Sequence, residues 1–176
     1  MSDYLKDQYR KTNQLYNLRS AYLIDSVTQR CNKLQSVNFL VDESGSIGAP
    51  GFQLALSFLS TYVTNTYDDP TLTSIQFFDS SFEPYLNYGN NKTQLLAGIA
   101  AKTYRAGGTL TGDAINKTTA QILAANFDSG LNKVMILMTD GKSYDQVGDA
   151  ANYARSKGIS IIAVGIGNAV NVSQLV

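Results

Sequence analysis

From residue 37 onward the chain alternates between two kinds of hydrophobic pattern. Residues 37–41, Val-Asn-Phe-Leu-Val, form a short, mostly apolar block bounded by polar residues, as expected of a strand buried on both faces. Phe52, Ala55, Leu56, Leu59 and Val63 then recur at helical spacing and predict a helix from about residue 51. Residues 73–78 and 82–88, joined across Asp79-Ser80-Ser81, read as a hairpin, so one edge strand should run antiparallel. A second helix is expected over residues 93–102. Ala114, Ile115, Thr118, Ile122 and Leu123 set the buried face of a third. The unbroken apolar run 134–138 suits a central parallel strand, residues 144–157 a fourth helix stopped by Gly158, and residues 159–164 the last strand. Strands alternating with helices predict an α/β fold: a doubly wound, mostly parallel sheet with one antiparallel edge strand and helices on both faces.

Residues 1–35 precede this alternation and are expected to form an N-terminal helical extension or linker, with 36–176 as the domain proper. Leu15, Leu18 and Tyr22 share one face of that segment, with Tyr16, Leu23 and Val27 beside it. The extension carries six basic and three acidic side chains, which leaves eight and eleven for the rest of the 176-residue chain. The formal net charge is +0, so no general attraction to nucleic acid or anionic membranes is expected. No apolar run approaches the roughly 20 residues of a membrane-spanning helix. Cys31 is the single cysteine, which rules out an internal disulfide.

The chemistry gathers at the ends of the strands. Residues 42–46 read Asp-Glu-Ser-Gly-Ser, directly behind the first strand, and present a carboxylate and two hydroxyls at alternate positions. Oxygen donors of this kind suit a hard cation such as Mg²⁺, which prefers octahedral oxygen coordination and keeps some waters. They do not suit Zn²⁺, whose usual ligands are His and Cys, in a chain with 0 His and 1 Cys. Glu43 and Asp113 read as acids that either ring this site or are simply solvated in their loops. Two further segments follow: Ala106-Gly107-Gly108-Thr109-Leu110-Thr111-Gly112 ahead of a helix, and Thr139-Asp140-Gly141 at the end of the run 134–138.

These three segments, in this order and spacing, resemble the von Willebrand factor type A domain with its metal-ion-dependent adhesion site. The likeness covers residues 36–175 and implies a Rossmann-like sheet. In that family two serines and a threonine reach the ion directly, and two aspartates act largely through water. The resemblance therefore gives the metal site as Ser44, Ser46 and Thr109, with Asp42 and Asp140 in the outer role, and Mg²⁺ or Mn²⁺ as the ion. Thr111 could exchange roles with Thr109. Family members continue beyond the last strand with a further strand and a long helix, which this chain is expected to lack. The N-terminal extension is one candidate to cover the surface so exposed, in its own chain or in a neighbouring copy, which makes self-association an expectation too.

Neutral hydroxyl ligands leave a divalent ion under-compensated, so a partner's Asp or Glu is the expected final ligand. The function so implied is adhesion-type, metal-dependent protein binding. The alternative is an intracellular scaffold or assembly domain using the same site. A fragment of a larger protein would point to an extracellular or cell-surface setting, a complete chain to the cytoplasm. An enzyme is not expected. A phosphatase-like fold needs a second Asp where Ser44 stands, the chain offers no His for proton transfer, and neither a Gly-x-Ser-x-Gly elbow nor a phosphate-binding loop occurs.

Overall fold

The computed structural model describes residues 35–66, 72–127, 131–167 and 170. The helix expected between residues 3 and 30 lies outside them. Five strands, β1 (Gln35–Asp42), β2 (Thr73–Phe78), β3 (Phe82–Leu86), β4 (Asn132–Thr139) and β5 (Ile159–Gly165), form one sheet in the order β3-β2-β1-β4-β5. Four helices join them: α1 (Gly48–Asn65), α2 (Lys92–Ala101), α3 (Thr111–Ala124) and α4 (Val147–Ser156). β1 pairs in parallel with β2 and β4, and β4 with β5; β3 alone is antiparallel, returning from β2 through the tight turn at 79–81. The expected architecture is therefore present.

The twofold alternation of side chains along each strand divides the core in two. Val37, Phe39 and Val41 of β1, with Ile75 and Phe77 of β2 and Val134, Ile136 and Met138 of β4, face Phe52, Leu56, Leu59 and Val63 of α1 and Leu95 and Ile99 of α2. Leu40, Phe78, Met135, Leu137 and Ile159 point the other way, onto Ala114, Ile115 and Ile122 of α3 and Ala150 and Ala154 of α4. Phe39, Phe52 and Phe77 have no exposed surface, and each such ring contributes about 2–3 kcal/mol through burial.

Asn38 breaks the apolar run of β1 without breaking the fold. It is fully buried, donates to the Val134 carbonyl at 2.9 Å, and accepts from the hydroxyls of Ser74, at 2.8 Å, and Tyr88. A buried amide is tolerated because its hydrogen-bonding capacity is met. Leu123, expected in the buried face of α3, instead lies 37% exposed near the end of that helix. Among the described residues no helix is long and apolar enough to cross a membrane.

Candidate metal centre

The strand order places β1 at the point where the chain reverses its direction of travel across the sheet. It first runs outward through β2 to β3, then returns to the other side of β1 as β4 and β5. At such a switch point the loops leaving the carboxyl ends of neighbouring strands diverge and leave a crevice. Asp42 ends β1, Asp140 follows β4, and the ladder between them reaches Val41 opposite Met138. The two acids therefore flank the crevice from adjacent strands.

Backbone bonds draw the Thr109 segment to both of them. Gly45 N donates to Gly107 O at 2.8 Å, Ala106 N to Glu43 O at 3.1 Å, and Tyr144 N to Thr109 O at 3.1 Å. Ser44 and Gly107 form an isolated parallel bridge. The structure thus brings together the three segments that carry the five residues singled out from the sequence. Within the set, the Ser44 and Ser46 hydroxyls are 3.1 Å apart. Asp42 is fully buried; one of its oxygens accepts from Ser44 N at 2.8 Å and the other from the Thr139 hydroxyl at 2.6 Å. Thr109 and Asp140 are buried as well.

The electrostatics of the two aspartates are unusual. Burial pushes the Asp42 carboxyl above the ordinary Asp range against the opposing bonds from Ser44 and Thr139, and the Asp140 charge raises it further. Asp140 Oδ1 accepts from Lys142 N at 3.1 Å, but Oδ2 is buried without a hydrogen bond. The nearest cation, Lys142 Nζ, stands 3.6 Å from Oδ2, inside ion-pair range but too far for a hydrogen bond. A buried acceptor left open beside a second buried carboxylate and a pair of adjacent hydroxyls matches what a hard divalent cation takes as ligands. Among the described residues, no three His, Cys, Asp or Glu side chains gather into a metal cluster, so any cation site here depends on Ser and Thr oxygens.

Glu43 corrects a sequence expectation. It neither rings the crevice nor sits in solvent: it is fully buried, 3.1 Å from Lys102 Nζ and 2.9 Å from Arg105 Nε. Lys102 also reaches Glu83 at 2.6 Å and lies over the Phe77 ring, 4.5 Å from its centre, while Arg105 reaches Asp79 at 3.3 Å. Burial raises the Glu43 carboxyl despite these two cations. Asp113 is half-exposed and pairs with Lys117 at 2.8 Å, one helical turn on.

The sequence reading also missed Asp145. Helix α3 has no capping side chain of its own at Leu110. Asp145 supplies the cap from the next loop, accepting from Gly112 N at 2.9 Å and Asp113 N at 2.7 Å. Ser143 completes the link, accepting from Thr111 N at 3.0 Å and donating to Asp145 Oδ1 at 2.7 Å. Burial works against the Asp145 charge, but the bonds from Ser143, Gly112 and Asp113 prevail and hold its carboxyl below the ordinary range. The signal available in the sequence was Ser-x-Asp just ahead of a helix, a common turn pattern with no sign of its distant target. The first amides of α3 are therefore already taken.

Comparison with known proteins agrees with this architecture. Among curated proteins, cochlin of Mus musculus is 33% identical over 144 residues, which make up 79% of this chain and 26% of cochlin. The chain thus spans about a quarter of that relative. The manganese-loaded TRAP protein of Plasmodium vivax superposes with a TM-score of 0.71 at 23% identity, covering 82% of this chain and 61% of TRAP. Proximal thread matrix protein 1 of the mussel byssus, solved with a zinc-occupied MIDAS motif, superposes with a TM-score of 0.69 at 23% identity, covering 82% of this chain and 41% of that one. The family model of the von Willebrand factor type A domain matches residues 36–176, and with the sheet order and crevice already described it follows that the chain belongs to that family.

Proposed function

We propose that residues 36–176 form a divalent-metal-dependent protein-binding module of the adhesion type. Ser44, Ser46 and Thr109 hold the ion through their hydroxyls, and Asp42 and Asp140 act on it largely through water. The observation that carries this reading is the open Oδ2 of Asp140, buried next to the buried Asp42. Two such carboxylates without a cation in hydrogen-bonding contact are costly in a folded chain, and an external divalent cation offsets that cost. The metals named in the TRAP and byssal structures lend support, each as a property of that protein. When bound, the ion supplies an electrophilic coordination position.

The chain's own part is to keep that position open. Three of the five assigned side chains are neutral, and the Thr139 hydroxyl and the Ser44 amide hold Asp42 in place by donating a hydrogen bond to each of its oxygens. The last ligand is then a carboxylate of a protein partner, the strongest oxygen donor such a partner offers. A small set of protein oxygens completed by waters favours the smaller, octahedral Mg²⁺ or Mn²⁺ over Ca²⁺, which takes more oxygen ligands in looser geometry. The byssal thread relative supports an extracellular setting for a protein that carries this module.

The test is calorimetric titration of Mg²⁺, Mn²⁺, Ca²⁺ and Zn²⁺ into the unmutated chain and into Thr109→Ala and Asp140→Ala. One site for Mg²⁺ or Mn²⁺, lost in both variants while circular dichroism is retained, is the expected result. Equal uptake by all three proteins would overturn the assignment, and a clear preference for Zn²⁺ would overturn the choice of ion.

A further inference from the structure

The contacts around Asp145 go beyond capping a helix. They tie the loop after β4, which carries Asp140, to the first turn of α3, which follows directly on Thr109. Three hydrogen bonds make the tie, from the amides of Thr111, Gly112 and Asp113, and a fourth within the loop, from the Ser143 hydroxyl to Asp145, braces it; all lie between 2.7 and 3.0 Å. The two segments also approach more closely than any residue but glycine allows at position 112. A Cβ there would lie 2.4 Å from Gln146 O and 3.1 Å from Asp145 Oδ2. A fifth bond, from Tyr144 N to Thr109 O at 3.1 Å, crosses the same seam.

We propose that Asp145, braced by Ser143, is a positioning residue that sets the spacing between Thr109 and Asp140 across the crevice. This rests on the metal reading given above and adds to it a residue that touches no proposed ligand. The physical argument concerns which elements are fixed. Asp140 stands one residue beyond β4, whose ladders to β1 and β5 hold it from both sides. Thr109 has no strand beneath it; it sits in the connection between α2 and α3, held by backbone bonds to its neighbours. Its distance from Asp140 therefore depends on how α3 is docked at its N-terminal end, and Asp145 is the carboxylate docking it. A charged acceptor facing two amides makes a stiffer joint than a neutral one.

The experiment compares the unmutated chain with Asp145→Asn, Asp145→Ala and Ser143→Ala, at a temperature where circular dichroism shows all four fully folded. Mn²⁺ alone is titrated, and amide exchange at Gly112 and Asp113 is followed with and without it. Outer partners of metal ligands typically change affinity by about 10- to 100-fold when removed. Asp145→Ala is expected to weaken Mn²⁺ binding within that range, with Asp145→Asn in between because it keeps one acceptor. Coupling is reciprocal, so Mn²⁺ should slow exchange at Gly112 and Asp113 in the unmutated chain and do so less in Asp145→Ala. As a control, Ile99→Val, on the opposite face of the sheet, should lower stability and leave Mn²⁺ affinity unchanged. Unaltered affinity in Asp145→Ala, or a matching loss in Ile99→Val, overturns the positioning role while the metal reading stands. Failure of the unmutated chain to take up Mn²⁺ overturns both.

Discussion

Replacing Lys102 with Met should destabilise the domain far more than its place at the end of a helix suggests. Lys102 is 7% exposed, and it meets Glu43 at 3.1 Å, Glu83 at 2.6 Å and the face of Phe77 at 4.5 Å. Met keeps most of the aliphatic stem, so the change isolates the charge. Removing one member of a buried ion pair costs about 3–5 kcal/mol, because the remaining charge is left without compensation. Here Arg105 still holds Glu43 at 2.9 Å, which places the expected loss near the lower bound, about 3 kcal/mol. For a domain of this size that amounts to a fall of about 6–12 °C in Tm. Glu43→Gln should cost less, about 1–2 kcal/mol, because Lys102 keeps Glu83 and Arg105 keeps Asp79. The double variant should cost less than the two losses together, since the carboxylate stranded by the first change is gone. With 0 Trp in the chain, urea unfolding is best followed by far-ultraviolet circular dichroism, in chelator so that metal linkage does not enter. A Lys102→Met variant within about 1 kcal/mol of the unmutated protein, or strict additivity in the double variant, would refute the reasoning.

Three further outcomes are expected. The carboxyl of Asp145 lies below its ordinary 3.8, so its contribution is full above that value and disappears as pH falls through the lower folded value; the stability gap to Asp145→Asn, read by urea unfolding, should therefore be present near neutrality and close in acid. Gly107→Ala would set a Cβ 2.4 Å from Asp79 Oδ2, and Asp79 is pinned by Ser81 N at 2.7 Å, so thermal melting should show a loss of about 1–3 kcal/mol. Mn²⁺ at a hundredfold excess over its Kd should stabilise the unmutated chain by about 2.7 kcal/mol in the same melting assay and leave Asp140→Ala unmoved.

The strands were legible because burial on both faces leaves little room for polar residues. β4 is the clearest example: Val134 to Met138 are all buried, and they read as one apolar block. Helix starts were less legible. α1 begins at Gly48 rather than 51, because Pro50 fits within a first turn, where its missing N–H costs nothing. α4 begins at Val147 rather than 144, because Ser143 and Asp145 are engaged in bonds to α3. The five proposed metal-site residues were readable as a family motif, because the order and spacing of their three segments is itself a pattern. Glu43, Ser143 and Asp145 were not. Glu43 meets Lys102 across 59 positions and Asp145 meets Gly112 across 33, and nothing local announces either partner.

The distribution of charge separates the structural acids at this end of the sheet from those left to the crevice. Glu43, Asp79 and Glu83 share two cations, Lys102 and Arg105, in one connected cluster with contacts from 2.6 to 3.4 Å. Asp42 immediately precedes Glu43 in sequence, yet among the described residues it forms no ion pair and is held by a hydroxyl and an amide. The alternating direction of side chains at the end of β1 accounts for the difference. Asp42 turns toward the Thr139 side of the sheet, while Glu43 turns toward the elements that carry Lys102 and Arg105. Asp140 meets its one cation at 3.6 Å, a distance that leaves Oδ2 open. Had the sequence only to balance charge, a lysine beside Asp42 would have done so, as Lys102 does beside Glu43. The fold instead gives Glu43, Asp79 and Glu83 close cations, caps a helix with Asp145, and leaves Asp42 without a cation and Asp140 with an oxygen that no hydrogen bond reaches; that uneven compensation is a stronger argument for an external cation than the identity of any single ligand.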